Sequence, residues 1–116
     1  MMLDWNLYLK QLTATIGQIA TASPEIVTGY RAVSEAGRKT GKLDAKTREL
    51  IALGVAVTRQ CDGCITVHTD AAVKAGASRE ELIEALGVAI AVNAGAALVY
   101  SARTLDAFTE KTLEQS

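Results

Sequence analysis

The sequence predicts an all-α protein, a compact helical domain of about six helices. Three observations carry that prediction. Apolar residues recur at three- and four-residue spacing almost throughout the 116 residues. No stretch alternates apolar and polar residues with the period of a strand. The one proline, Pro24, stands where a helix would begin rather than inside one.

A first helix is expected over about residues 3–20, with Leu3, Leu7, Leu12, Ile16 and Ile19 on one apolar face. Ser23-Pro24-Glu25 reads as an N-cap, a proline at the first helical position and an acid near the positive helix end. The second helix carries Ile26, Val27, Tyr30 and Val33 and stops near Gly37, leaving 38–42 as a polar loop. Asp44 caps a third helix reaching about Gln60, whose buried side is Leu50, Ile51, Leu53 and Val57. After a break at Cys61-Asp62-Gly63, a fourth helix runs to about Ala75, and Gly76 suits the left-handed position past its end. Ser78-Arg79-Glu80-Glu81 matches a capping box and starts a fifth helix through Leu82, Leu86 and Ile90. A last helix is expected over about 94–113, with residues 93–95 either a turn or a kink. No repeat, low-complexity tract or linker divides the chain, so residues 1–116 are expected to form a single domain.

Hydrophobic residues make up 49% of the chain but aromatics only 4%, so the apolar content is mostly Ala, Val, Leu and Ile. A chain this short hides that much apolar surface poorly, and some of it is expected in contacts between copies. Twelve basic residues against thirteen acidic ones, unclustered, give no electrostatic case for nucleic acid or an anionic membrane. The N-terminus lacks the positive and apolar regions of a secretory signal. The longest apolar stretch, about 86–97, is interrupted by Asn93 and followed by Ser101 and Arg103, short of the roughly 20 residues of a membrane span. The expected setting is cytoplasmic, where a cysteine pair points to catalysis or metal binding rather than to a structural crosslink.

The two cysteines, Cys61 and Cys64, and the single histidine, His68, fall within eight residues. At the start of a helix, positions i, i+3 and i+7 share a face. Two thiols so spaced can close a disulfide with little backbone change. The helix N-terminus and a nearby imidazolium both favour thiolate, the attacking species. Gly63 removes bulk beside the sulfurs, and Asp62 is expected to point to solvent or cap the helix. Glu49, on the preceding helix, is placed by a short connection to orient His68, the usual arrangement of nucleophile, base and orienting group. Other readings of these residues stay open. Cys61, Cys64, His68 and Glu49 are four possible zinc ligands of a metal-binding or redox-sensing module, although no second Cys/His pair exists. The cysteines could be small core hydrophobes. His68 could serve a non-thiol enzyme. Haem attachment needs a histidine directly after the second cysteine, where Ile65 stands. Trp5 reads as a packing anchor, and Tyr30 and Tyr100 as core-edge aromatics.

Glu49 followed by Cys61-Asp62-Gly63-Cys64-Ile65-Thr66-Val67-His68 resembles the core motif of the alkylhydroperoxidase D-like proteins of the carboxymuconolactone decarboxylase family. The resemblance runs from about Leu43 past Gly76. It implies an all-helical fold assembled into trimers or hexamers. It implies reduction of peroxides or disulfides, with Glu49 and His68 relaying protons to Cys64 and Cys61 exchanging with a protein disulfide. On the thiol reading no bound organic cofactor and no metal is expected, and the electrons come from a thiol-based donor protein. The chain departs from the motif at Gly63, where many members carry His or Tyr. Decarboxylases of the superfamily lack the cysteine pair, so that activity is not expected.

Overall fold

The computed structural model describes residues 1–115; Ser116, the last residue of the expected domain, lies outside the described residues. It contains five helices, α1 (Trp5–Ala22), α2 (Pro24–Thr40), α3 (Ala45–Arg59), α4 (Asp62–Lys74) and α5 (Arg79–Gln115), and no strand among the described residues.

Most helix starts follow the local chemistry. Asp4 accepts from the Leu7 amide at 3.1 Å and Asp44 from the Thr47 amide at 2.7 Å, capping α1 and α3. Ser78 and Glu81 cap α5 reciprocally: the Glu81 amide donates to Ser78 Oγ at 3.0 Å and the Ser78 amide to Glu81 Oε1 at 2.9 Å. Ser23 holds the N-cap of α2 with Pro24 behind it, but its side chain makes no capping bond.

Two boundaries differ from expectation. α2 continues through Arg38, Lys39 and Thr40 rather than stopping near Gly37, and it is Gly41 (φ 68°) that takes the left-handed position past its end. The fifth and sixth expected helices are one, so there are five helices and not six. Asn93 does not break α5. Its Nδ2 donates to Ala89 O within the helix and to Thr58 Oγ1 on α3, both at 2.7 Å, so the polar group is satisfied where it stands. With no break, residues 85–102 form a continuous charge-free stretch of helix. The expectation that this stretch falls short of a membrane span therefore fails on length and composition: α5 is the one helix among the described residues long and apolar enough to cross a bilayer.

α3 is central. It packs against α4 and α5, while α1 pairs with α2 and rests on α4. The buried residues are few and small: Leu53 and Ala56 on α3, Thr66 and Ala72 on α4, Ala89 on α5 and Val27 on α2. α5 lies against α3 at Gly54, where a Cβ would make an ordinary contact with that of Ala89 at 3.7 Å. Several residues expected inside are exposed, among them Leu7, Ile16 and Ile19 on α1, Ile26, Tyr30 and Val33 on α2, Ile51 on α3 and Ile90 on α5. Their apolar faces find little cover within the chain, because α2 touches only α1 and residues 96–115 of α5 are exposed.

Candidate active site

The site is built where α3 hands over to α4. α3 ends with Gln60 in the left-handed conformation (φ 52°), its amide bonded to Val57 O. The Cys61 amide bonds to Ala56 O at 3.1 Å. This tight reversal lays α4 back along α3 with only Gln60 and Cys61 between them. Cys61 becomes the N-cap of α4, its Sγ accepting from the Cys64 amide at 3.1 Å. A sulfur at that position faces the unpaired amides and the positive end of the helix. Asp62 is exposed, and the capping role that was open to it falls to Cys61.

Cys61 and Cys64 are joined as a disulfide, their Cα atoms 5.2 Å apart. His68 lies one turn beyond Cys64 on α4. Its Nδ1 and Glu49 Oε2 on α3 are 2.7 Å apart. The histidine side chain is 29% exposed and the glutamate 12%, so the pair is largely screened from water yet open at the imidazole. A carboxylate can only accept, so Nδ1 carries the proton and Nε2 of the neutral ring is left with a lone pair. The four residues singled out from the sequence are thus brought together on two adjoining helices.

The neighbour covering this corner leaves no mark in the sequence. Leu12 on α1 lies against Gly63: a Cβ at Gly63 would stand 3.0 Å from Leu12 Cδ2. The start of α1 is tied to α4 as well, the buried Thr66 donating through Oγ1 to Trp5 O at 3.1 Å. A histidine or tyrosine at position 63 would press its Cβ against the Leu12 side chain of α1. With the sulfurs joined to each other, no group of three or more His, Cys, Asp or Glu side chains converges on a metal position among the described residues.

Residues 24–107, most of the chain, match the sequence pattern of the carboxymuconolactone decarboxylase family. The chain belongs to the carboxymuconolactone decarboxylase family. A carboxymuconolactone decarboxylase family protein from Legionella pneumophila, solved in its apo form, is 42% identical and superposes with a TM-score of 0.73 over 91% of this chain and 95% of its own. A protein from Methanobacterium thermoautotrophicum is 30% identical, with a TM-score of 0.69 over 77% and 97% of the two chains. An uncharacterized protein of Haemophilus influenzae is 46% identical over 109 residues, covering 94% of this chain and 96% of that one. One encoded in the cox locus of Paracoccus denitrificans is 32% identical over 105 residues, covering 90% and 95%. Membership agrees with the alkylhydroperoxidase D-like motif and with the all-helical fold. The family includes both decarboxylases and alkylhydroperoxidases.

Proposed function

We propose that this chain is a thiol-dependent reductase of alkyl hydroperoxides or partner disulfides, cycling between dithiol and disulfide at Cys61 and Cys64. The observation that carries the reading is a disulfide at the first turn of α4 with a Glu49–His68 hydrogen bond of 2.7 Å one turn along.

The chemistry closes with the residues present. In the reduced protein His68 Nε2 takes the Cys64 proton, which the adjoining helix end favours. The thiolate attacks the terminal oxygen of ROOH. An S–O bond forms, the O–O bond breaks, and the alkoxide leaves as ROH with the proton held on His68. Cys64 is then a sulfenic acid. The Cys61 sulfur attacks it, forming the S–S bond, and hydroxide departs with the Cys61 proton as water. Two thiols of a donor protein restore the dithiol through a mixed disulfide. A cytosol with its reducing thiol pool suits this cycle, and the family resemblance supports a homo-oligomer, a trimer or hexamer.

The test is peroxide consumption supported by a dithiol donor. Cys61→Ser and Cys64→Ser are each expected to abolish it. Full activity in both would move the chemistry to a non-thiol reaction of His68. Stoichiometric zinc in protein purified without chelator, with thiols inert to maleimide, would turn the site into a metal module.

A further inference from the structure

The first two helices rest on the remainder of the chain at one place, and that place is the turn carrying the cysteines. α2 packs against α1 alone, and α1 packs against α2 and α4 alone. In sequence the hairpin of α1 and α2 joins α3 through residues 41–44, which begin with the left-handed Gly41. Among the described residues, the bond from Thr66 Oγ1 to Trp5 O, at 3.1 Å, is the one hydrogen bond that crosses from hairpin to body. Thr66 is two residues past Cys64 and is buried, at 6% exposure. The second anchor, Leu12, lies against Gly63, between the two cysteines. Trp5, Tyr8 and Leu12 are half-buried at three- and four-residue spacing, whereas Leu7, Ile16 and Ile19 on the same helix are exposed. Gly63 and Thr66 fall within one turn of α4, with Cys64 between them.

We propose that closure of the Cys61–Cys64 bond and docking of α1 on α4 favour one another: oxidation seats the hairpin, reduction loosens it, and Thr66 is the positioning residue that couples the two. A dithiol breaks the S–S bond, delivers two electrons and two protons to the sulfurs, and leaves as its own disulfide. Sulfurs no longer bonded cannot overlap, and they part to van der Waals separation. Side-chain rotation takes up little of this. Cys61 Sγ accepts from the Cys64 amide at 3.1 Å, and turning away would leave that amide unpaired at the helix start. Cys64 lies inside α4, where one of the three χ1 rotamers runs into the preceding turn. The remaining movement falls on the backbone of residues 61–64, where Gly63 bends most readily. Leu12 Cδ2 is seated in the hollow that Gly63 leaves, 3.0 Å from where a Cβ would stand, so a shift of that backbone spoils the seat.

Coupling of this kind is reciprocal. Whatever reduction takes from the docking of α1, docking adds to the stability of the disulfide. The position of α1 then reports the redox state of the pair, and a donor protein bearing on α1 would tell the oxidised chain from the reduced one. The coupling rests on the thiol reading only in taking Cys61 and Cys64 to open and close; no peroxide enters it. The body of α3, α4 and α5 keeps its own contacts in both states, since α3 packs against both of the others.

The experiment compares native protein, oxidised and reduced by dithiothreitol, using hydrogen exchange and the emission of Trp5, the one tryptophan in the chain. On reduction, amides of residues 9–22 are expected to exchange about fivefold faster or more, with those of residues 49–59 unchanged. The emission maximum is expected to move to the red as the indole meets water. Thr66→Val keeps the shape of the side chain and removes its hydroxyl, and Thr66→Ser keeps the hydroxyl. Equilibrated with glutathione, Thr66→Val is expected to lower the constant for disulfide formation by about two- to tenfold, the worth of one hydrogen bond, with Thr66→Ser near native. Tenfold corresponds to about 30 mV for this two-electron couple. A threonine that merely packs would lower the melting temperature of both redox states alike and leave the potential where it was. If Thr66→Val does not fold, Leu12→Ala, which empties the seat at Gly63, is measured in its place with the same expectation. A native potential in the variant, or equal exchange of α1 in both states, overturns the coupling and leaves the thiol reading standing. Sulfurs that bond at no glutathione ratio would sink both.

Discussion

Glu49 does to His68 what no solvent molecule could do as well: it fixes which nitrogen is protonated and holds the ring in place. Removing the imidazole should therefore cost more than removing a charge. His68→Gln is expected to lower the rate of peroxide reduction by about 10²- to 10⁴-fold, the usual contribution of one general acid–base group, and to raise the apparent pKa of thiol alkylation. An unchanged alkylation profile would argue against the relay. The contact of Leu12 with Gly63 makes a second prediction at this scale. Gly63→Tyr must push the Leu12 side chain of α1 aside, so the reduced protein should be alkylated faster, and Leu12→Ala in the same background should restore much of the original rate by making room. Equal alkylation rates for native and Gly63→Tyr proteins would refute the steric account. Cys61, Cys64 and His68 were legible in the sequence because one helix turn relates them, and Glu49 because a short connection brings it near. Leu12 was not: its contact crosses from one end of the chain to the middle, and a leucine on an amphipathic helix looks the same whether it covers a site or a core.

Among elements, the caps tell most. Asp44, Ser78 and Glu81 were readable because the chemistry of a helix start is written within four residues. Lys46 adds a link the sequence does not advertise, its Nζ lying 2.8 Å from Glu81 Oε2 and joining the starts of α3 and α5. The Lys46 ammonium is the main reason the Glu81 carboxyl lies below its ordinary value of 4.5, and the same hydrogen bond raises Lys46 above 10.5. Asp44 is likewise lowered, by its bonds to Thr47. A depressed carboxyl stabilises the fold above its ordinary pKa and loses that contribution as pH falls through the folded value. A raised amine stabilises below its ordinary pKa and loses it as pH rises through the folded value. Melting temperature is expected to be level near neutrality, to fall below about pH 4.5 and to fall again above about pH 10.5. Lys46→Met should flatten the alkaline limb and weaken the acid one, which thermal melts across pH would reveal. The sequence points to a turn or a kink at 93–95 because Asn and Gly usually punctuate a helix. Here Thr58, on another helix, and the carbonyl of Ala89 answer the amide of Asn93, and that answer is tertiary.

For the whole molecule, the all-helical class was legible because period and caps are local properties of the chain. The arrangement was not, since few side chains of one copy decide it. A buried set rich in alanine lets helices come close but gives little area to each contact. The excess of apolar residues noticed in the composition reappears as exposed faces on α1, α2, α3 and α5, so composition announced the shortage of cover before any helix was placed.

The bond between Cys61 and Cys64 joins residues only three apart in sequence. Closing so small a ring restrains little of the unfolded chain, about 2 kcal/mol by the chain-entropy relation, against about 4.7 for a 100-residue loop. Reduced and oxidised protein should accordingly melt within a few degrees of each other in calorimetry, and a gap of tens of degrees would contradict this. Such a crosslink behaves as a latch rather than a rivet: in the proposed cycle it would open and shut while the scaffold around it stays assembled.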